Sequence, residues 1–118
     1  MVPDERRRLL AELDELMEES RALRQVLDST ESAYATVRAH VEEGSDVRAA
    51  LLSEPVDQQR QRLSSQLERF ERARHRVRRR FVLLGQKEGV SLTELARLWG
   101  LSRQLVARYA REPNGDSF

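Results

Sequence analysis

Cysteine is absent from the 118 residues, so the chain can form no disulfide, no thiolate metal site and no thiol nucleophile. With only 5 glycines and 3 prolines there is little to interrupt regular structure. Apolar residues make up 39% and charged residues 35%, a balance too polar for a thick globular core and suited to long amphipathic helices. Stretches of about 18 apolar residues are missing, and the opening Met1-Val2-Pro3-Asp4-Glu5-Arg6 lacks the apolar segment of a secretory signal. These absences lead us to expect a cytoplasmic location and no membrane partner. Gly85 and Gly89 lack the following Lys-Ser/Thr of a phosphate-binding loop. His40 and His75 have no carboxylate, serine or second histidine at the spacing of a triad or metal site, and both are expected on the surface. An enzyme is therefore not expected, nor a cofactor or metal.

What is present is charge, unevenly spread. The formal net charge is +1, but residues 1–58 hold 14 acidic and 7 basic side chains, a net of −7, while residues 59–118 hold 6 and 14, a net of +8. A basic half within a near-neutral chain is the usual footprint of a polyanionic partner, because Lys and Arg gain affinity by displacing counterions from phosphates. A solvated helix face is the plainer alternative.

The acidic half is strongly periodic. Leu9, Leu13, Leu16, Ser20, Leu23, Leu27, Thr30, Tyr34, Val37 and Val41 follow the alternating three-and-four spacing of a heptad seam, and eight of the ten are apolar. Pro3 suits a first helical turn, Asp4 and Glu5 suit its positive dipole end, and Gly44 suits a stop. The spacing thus predicts a helix roughly 60 Å long at about 1.5 Å per residue. Such a rod does not stand alone in water, so Leu9, Leu13, Leu16, Leu23, Leu27, Tyr34, Val37 and Val41 are assigned to a dimer seam. Ser20 and Thr30 are polar interruptions read as tolerated local imperfections, the alternative being that they set register at some cost in stability. After a break at Gly44-Ser45-Asp46, Asp46 can cap a short helix through Val47, Ala50 and Leu51 before Glu54-Pro55. A second run places Val56, Leu63, Leu67, Phe70, Val77, Phe81 and Leu84 on one face, with Arg74 intruding. It can pack back on the first helix as an antiparallel hairpin, or both can pair across a dimer; periodicity alone leaves the two open.

The last forty residues are more specific. Ser91-Leu92-Thr93-Glu94 has the capping-box form S-x-x-E, which starts a helix presenting Leu92, Leu95, Ala96 and Trp99 to an interior. Gly100 then permits a tight turn, and Ser102 can cap a second helix carrying Leu105, Val106, Tyr109 and Ala110. Two short helices joined through a glycine turn resemble the helix-turn-helix family of DNA-binding proteins. The matching positions are the small Ala96 at the helix crossing, Gly100 four residues later, and the anchors Leu95, Trp99, Leu101, Val106 and Tyr109. With the lead-in Phe81-Val82-Leu83-Leu84 to Glu88-Gly89-Val90, the segment is similar to the three-helical modules of resolvases, transposases and sigma factors.

The resemblance implies which side chains meet DNA. Those of the second helix left free by packing, Ser102, Arg103, Gln104, Ala107 and Arg108, would face bases in the major groove: arginine suits guanine, glutamine suits adenine, and alanine suits a thymine methyl. Thr93, Arg97 and Arg111 would hold phosphates and fix register. Upstream, Arg72, Arg76, Arg79 and Arg80 belong to an arginine cluster that either tracks the phosphate backbone or is neutralised by Glu12, Glu15, Glu18 and Glu19. Trp99 is read as a core residue and not as a platform for bases.

The expected organisation is all-α: a coiled-coil helix over 1–43, a connector with a short helix over 44–54, a second long helix over 55–80, a helix-turn-helix head over 81–113 and a tail over 114–118. The expected partners are double-stranded DNA and a second copy of the chain, as in a transcriptional regulator or nucleoid-associated protein. The alternative is a protein-interaction module of a transcription complex, its coiled coil binding a partner helix.

Overall fold

The computed structural model describes residues 3–112. These are all-helical, with no strand among the described residues: α1 (Asp4–Glu42), α2 (Val47–Leu52), α3 (Val56–Lys87), α4 (Leu92–Trp99) and α5 (Arg103–Arg111). The tail expected over 114–118 lies outside the described residues, as does residue 113. The boundary expected at 80–81 falls inside α3, where the backbone meets neither glycine nor proline until Gly85. By contacts the chain divides into two compact units. Unit 1 joins the residues up to Met17 with those from Glu71 onward, and unit 2 is Glu18–Phe70.

Helix ends are set by local chemistry. The Pro3 carbonyl accepts the first helical bond of α1 from the Arg7 N–H at 3.0 Å, and Asp4 and Glu5 occupy the first turn. At the other end the Ser45 N–H returns to the His40 carbonyl at 3.0 Å and the Gly44 N–H to Val41 at 3.1 Å, which closes the helix. Asp46 caps α2 by accepting from the Ala49 N–H at 2.8 Å.

Within unit 2, α1 and α3 run antiparallel in the same chain, and polar side chains tie them together. Gln59 is buried and donates to the Thr30 hydroxyl at 2.7 Å while accepting from the Ser29 hydroxyl at 3.1 Å. Gln66, also buried, donates to the Glu19 carbonyl at 3.4 Å. The inward face of α1 differs from the periodicity of its apolar residues. Leu23, Thr30 and Val37 are half-buried as the heptad spacing requires, but the intervening inward positions are Val26, Ala33 and His40, each one residue before the expected Leu27, Tyr34 and Val41. Those three are 46%, 54% and 57% exposed. In α3 the same offset makes Gln66 inward and leaves Leu67 44% exposed. The physical reason is that small or hydrogen-bonded side chains let two helices approach closely, so the intrachain seam accepts Ala33, Gln59 and Gln66 where apolarity alone favours larger neighbours.

In unit 1, α1 again runs antiparallel to α3. Arg80 bonds Glu12 at 2.8 Å, Arg76 bonds Glu15 at 2.5 Å, Lys87 pairs with Glu5 and Arg6 with Glu88. Leu9, Ala73, Val77 and Leu84 are buried. Ala73, 1% exposed, takes the inward place that the apolar pattern assigns to Arg74. The Lys87 hydrogen bond holds the Glu5 carboxyl below the ordinary carboxylate range, against a smaller opposing effect of desolvation and with further help from the charges of Lys87, Arg8 and Arg80.

Candidate nucleic-acid interface

The α3–α4–α5 region of unit 1 is built on glycine turns and serine caps. At the end of α3, Gly89 adopts φ +87°, and the Val90 N–H reaches back to the Gly85 carbonyl at 2.9 Å. The Ser91 side chain then accepts from the Glu94 N–H at 3.1 Å and starts α4. At the end of α4, Gly100 adopts φ +69°, with the Leu101 N–H on the Ala96 carbonyl at 2.9 Å and the Gly100 N–H on Arg97 at 3.3 Å. This paired closure requires a left-handed residue, which glycine supplies without steric cost. Ser102 accepts from the Leu105 N–H at 3.1 Å and starts α5.

Packing orients the two short helices. Val82, Leu95, Ala96, Val106 and Tyr109 form a buried cluster, flanked by Val90, Leu92, Leu101, Leu105 and Ala110. Val82 from α3 and Val106 from α5 are each 0% exposed. Gly85 brings α3 close to α4: a Cβ placed there would lie 2.7 Å from Leu95 Cδ2. Trp99 is half-buried with its ring edge-on to Phe81 at a centroid distance of 5.4 Å.

This interior leaves Ser102, Arg103, Gln104, Arg108 and Arg111 of the α5 region exposed and Ala107 half-buried. Arg103 Nε donates to the Thr93 hydroxyl at 3.1 Å, which brings together two side chains assigned to bases and phosphates respectively. Thr93 and Arg97 are exposed on α4, where Arg97 lies in a long 3.9 Å pair with Glu94. No carboxylate lies within α5, and the basic Arg108 and Arg111 occupy its last turn. Glu112, the residue after α5, is turned inward to His75.

The α3 arginines are placed differently. Arg76 and Arg80 pair with Glu15 and Glu12 of α1, and Arg79 donates to the Glu112 carbonyl through Nη2 at 2.6 Å. Arg76, Arg79 and Arg80 are thus engaged within unit 1, where the sequence had left phosphate contact and neutralisation by α1 glutamates as alternatives. Arg72 is exposed.

His75 corrects an expectation: it is 4% exposed, not on the surface. Its Nε2 lies 2.8 Å from Glu112 Oε2, and its ring packs on Tyr109 at 4.9 Å. The carboxylate lies 37 residues away, so no local spacing reveals the pair. His40 is half-buried near the end of α1. The Gly85–Leu95 approach was equally hidden, since a helical glycine without a motif carries no sign of what crosses it. Among the described residues no group of three or more potential metal ligands converges, and no helix is long and apolar enough to cross a membrane. Compared with family models, with curated proteins and with solved structures, the chain has no match.

Proposed function

We propose that the chain binds double-stranded DNA sequence-specifically as a dimeric helix-turn-helix protein, a transcriptional regulator or nucleoid-associated protein, with α5 as the recognition helix and α1 as the oligomerisation element. The observation that carries this reading is the solvent face of α5: Arg103, Gln104, Arg108 and Arg111 are exposed, with no carboxylate within the helix. Arg103 and Gln104 stand at its N-terminal end, the part of a recognition helix that reaches base edges. Ser102, Ala107 and Arg108 complete the base-facing set, and Thr93, Arg97, Arg111 and Arg72 hold phosphates. The arginines Arg76, Arg79 and Arg80 act within the chain, neutralising α1 and fastening the end of α5.

The experiment is selection of bound duplexes from a random pool, followed by titration at two salt concentrations. An enriched sequence with steeply salt-dependent affinity supports the reading. A second reading, docking of the same helices on a protein of a transcription complex, is favoured by one observation: Leu98 of α4 is 70% exposed. It requires duplex binding that is weak at both salt concentrations.

A further inference from the structure

The intrachain pairing of α1 with α3 leaves a second apolar stripe on α1. In unit 2, Leu27, Tyr34 and Val41 recur every seven residues and are 46%, 54% and 57% exposed. Arg24, Glu31 and Arg38, also exposed, each stand three residues before one of them and alternate in sign at the same spacing. Leu67 of α3, 44% exposed, lies on the flank of its helix away from Arg62, just as Leu27 lies on the flank of α1 away from Ser29, which Arg62 bonds at 3.4 Å. The two leucines therefore share one edge of the unit. Side chains of this size repeated over two heptads form the kind of seam that a further helix covers.

We infer that this seam joins two copies of the chain in an antiparallel, two-fold contact centred on Tyr34, with Leu27 opposite Val41 of the second copy and Glu31 beside its Arg38. The inference deepens the dimeric reading above and rests on it. In a two-fold contact, residue i facing j requires j to face i, so choosing the centre fixes every pair. Centring on Tyr34 sets the three apolar residues against one another and brings Glu31 to Arg38 twice. Arg38 is exposed and pairs with its neighbour Glu42 at 2.7 Å. Sliding by one heptad, so that Leu27 meets Tyr34, brings Glu31 to Glu31 and Arg24 to Arg38. Sliding by another, so that Leu27 meets itself, keeps opposite charges together but sets Tyr34 against Ser20. A parallel pairing in register puts the Arg24, Glu31 and Arg38 rows of the two copies on opposite edges of the contact, where they make no pairs with each other. Like charges brought together oppose association and opposite ones favour it, so the pattern selects one arrangement among these.

The absence of cysteine makes the register directly testable. Under mild oxidation without DNA, Tyr34→Cys should form a covalent dimer, Leu27→Cys alone should not, and Leu27→Cys with Val41→Cys should, because only facing pairs meet the distance a disulfide needs. Independently, Glu31→Arg should reduce the mass in light scattering from two chains to one, and adding Arg38→Glu should restore the dimer. All these positions are exposed, so helicity by circular dichroism should stay at the parent level. A parent chain that is monomeric at tens of micromolar overturns the inference, as does a dimer in which Leu27→Cys links as readily as Tyr34→Cys. A dimer that meets these tests but binds no duplex sustains the inference and removes the DNA reading; a monomer that binds duplex does the reverse.

Discussion

Units 1 and 2 share the same two long helices but bury different things. In unit 1 the buried apolar residues include Leu9, Val77, Val82, Leu84, Leu95, Val106 and Tyr109. In unit 2 they are Ala33 and Ala50, and the other buried side chains are Gln59 and Gln66. The difference lies in the number of helices that converge. In unit 2 the only helix besides α1 and α3 is the six-residue α2, so along most of its length a helix pair covers only a narrow stripe, and large side chains beside it stay in water, as Leu27, Tyr34, Val41 and Leu67 do. Where α4 and α5 add further faces, the stripe widens into a core. Unit 1 is thereby equipped to hold its short helices rigidly, while unit 2 is left with apolar surface to offer a partner.

The largest expected effect probes that contrast. Tyr109→Ala removes a side chain that is 3% exposed and packs on His75, and should cost about 3–5 kcal/mol in chemical denaturation, the range for deleting a buried aromatic. Tyr34→Ala, at 54% exposure, should stay within about 0.5 kcal/mol under conditions where the chain is monomeric. Equal losses at the two tyrosines would erase the distinction between the units.

The next prediction concerns arginines within unit 1. Arg103→Ala should weaken specific duplex binding by roughly 1–3 kcal/mol and relax preference at one base pair. Arg80→Gln, which removes the partner of Glu12, should lower stability and leave the salt slope of binding unchanged. A slope flattened by about one counterion would return Arg80 to the phosphates.

Smaller still is the effect of the polar layer in unit 2. Gln59→Leu together with Thr30→Val replaces both sides of the 2.7 Å hydrogen bond and should be neutral within about 1 kcal/mol, whereas Gln59→Ala alone should cost about 1–3 kcal/mol by leaving its partners unsatisfied. Urea titrations of the two variants make the comparison.

The smallest effect is electrostatic. The Lys87 hydrogen bond depresses the Glu5 pKa, so the pair stabilises the fold above the unfolded carboxylate pKa, and that contribution is lost as pH falls through the lower folded value. Lys87→Gln should move Glu5 back toward the ordinary carboxylate range in an NMR titration and remove this part of the acid sensitivity. An unmoved Glu5 would show that the pair does not form in solution.

Much of the local structure is legible in the residues themselves. The caps Asp46, Ser91 and Ser102 and the stops Gly44 and Gly100 act where side-chain chemistry places them, because each satisfies backbone groups only a few residues away. The exposed basic face of α5 is legible as well, since it is what the apolar positions Leu105, Val106 and Tyr109 leave over. Long-range pairings are not. Nothing near His75 announces Glu112, and nothing near Gly85 announces Leu95.

The sequence by itself determined that this protein is helical and where most of its helices begin and end, because periodicity, caps and glycine stops act over one or two turns. Tertiary structure alone decided which stripe of α1 faces inward. Two adjacent stripes, Val26/Ala33/His40 and Leu27/Tyr34/Val41, have the same seven-residue period, and composition favours the second. The chain packs on the first, because α3 offers Gln59 and Gln66 to its polar positions and Ala33 permits close approach. Its more apolar neighbour is left facing water.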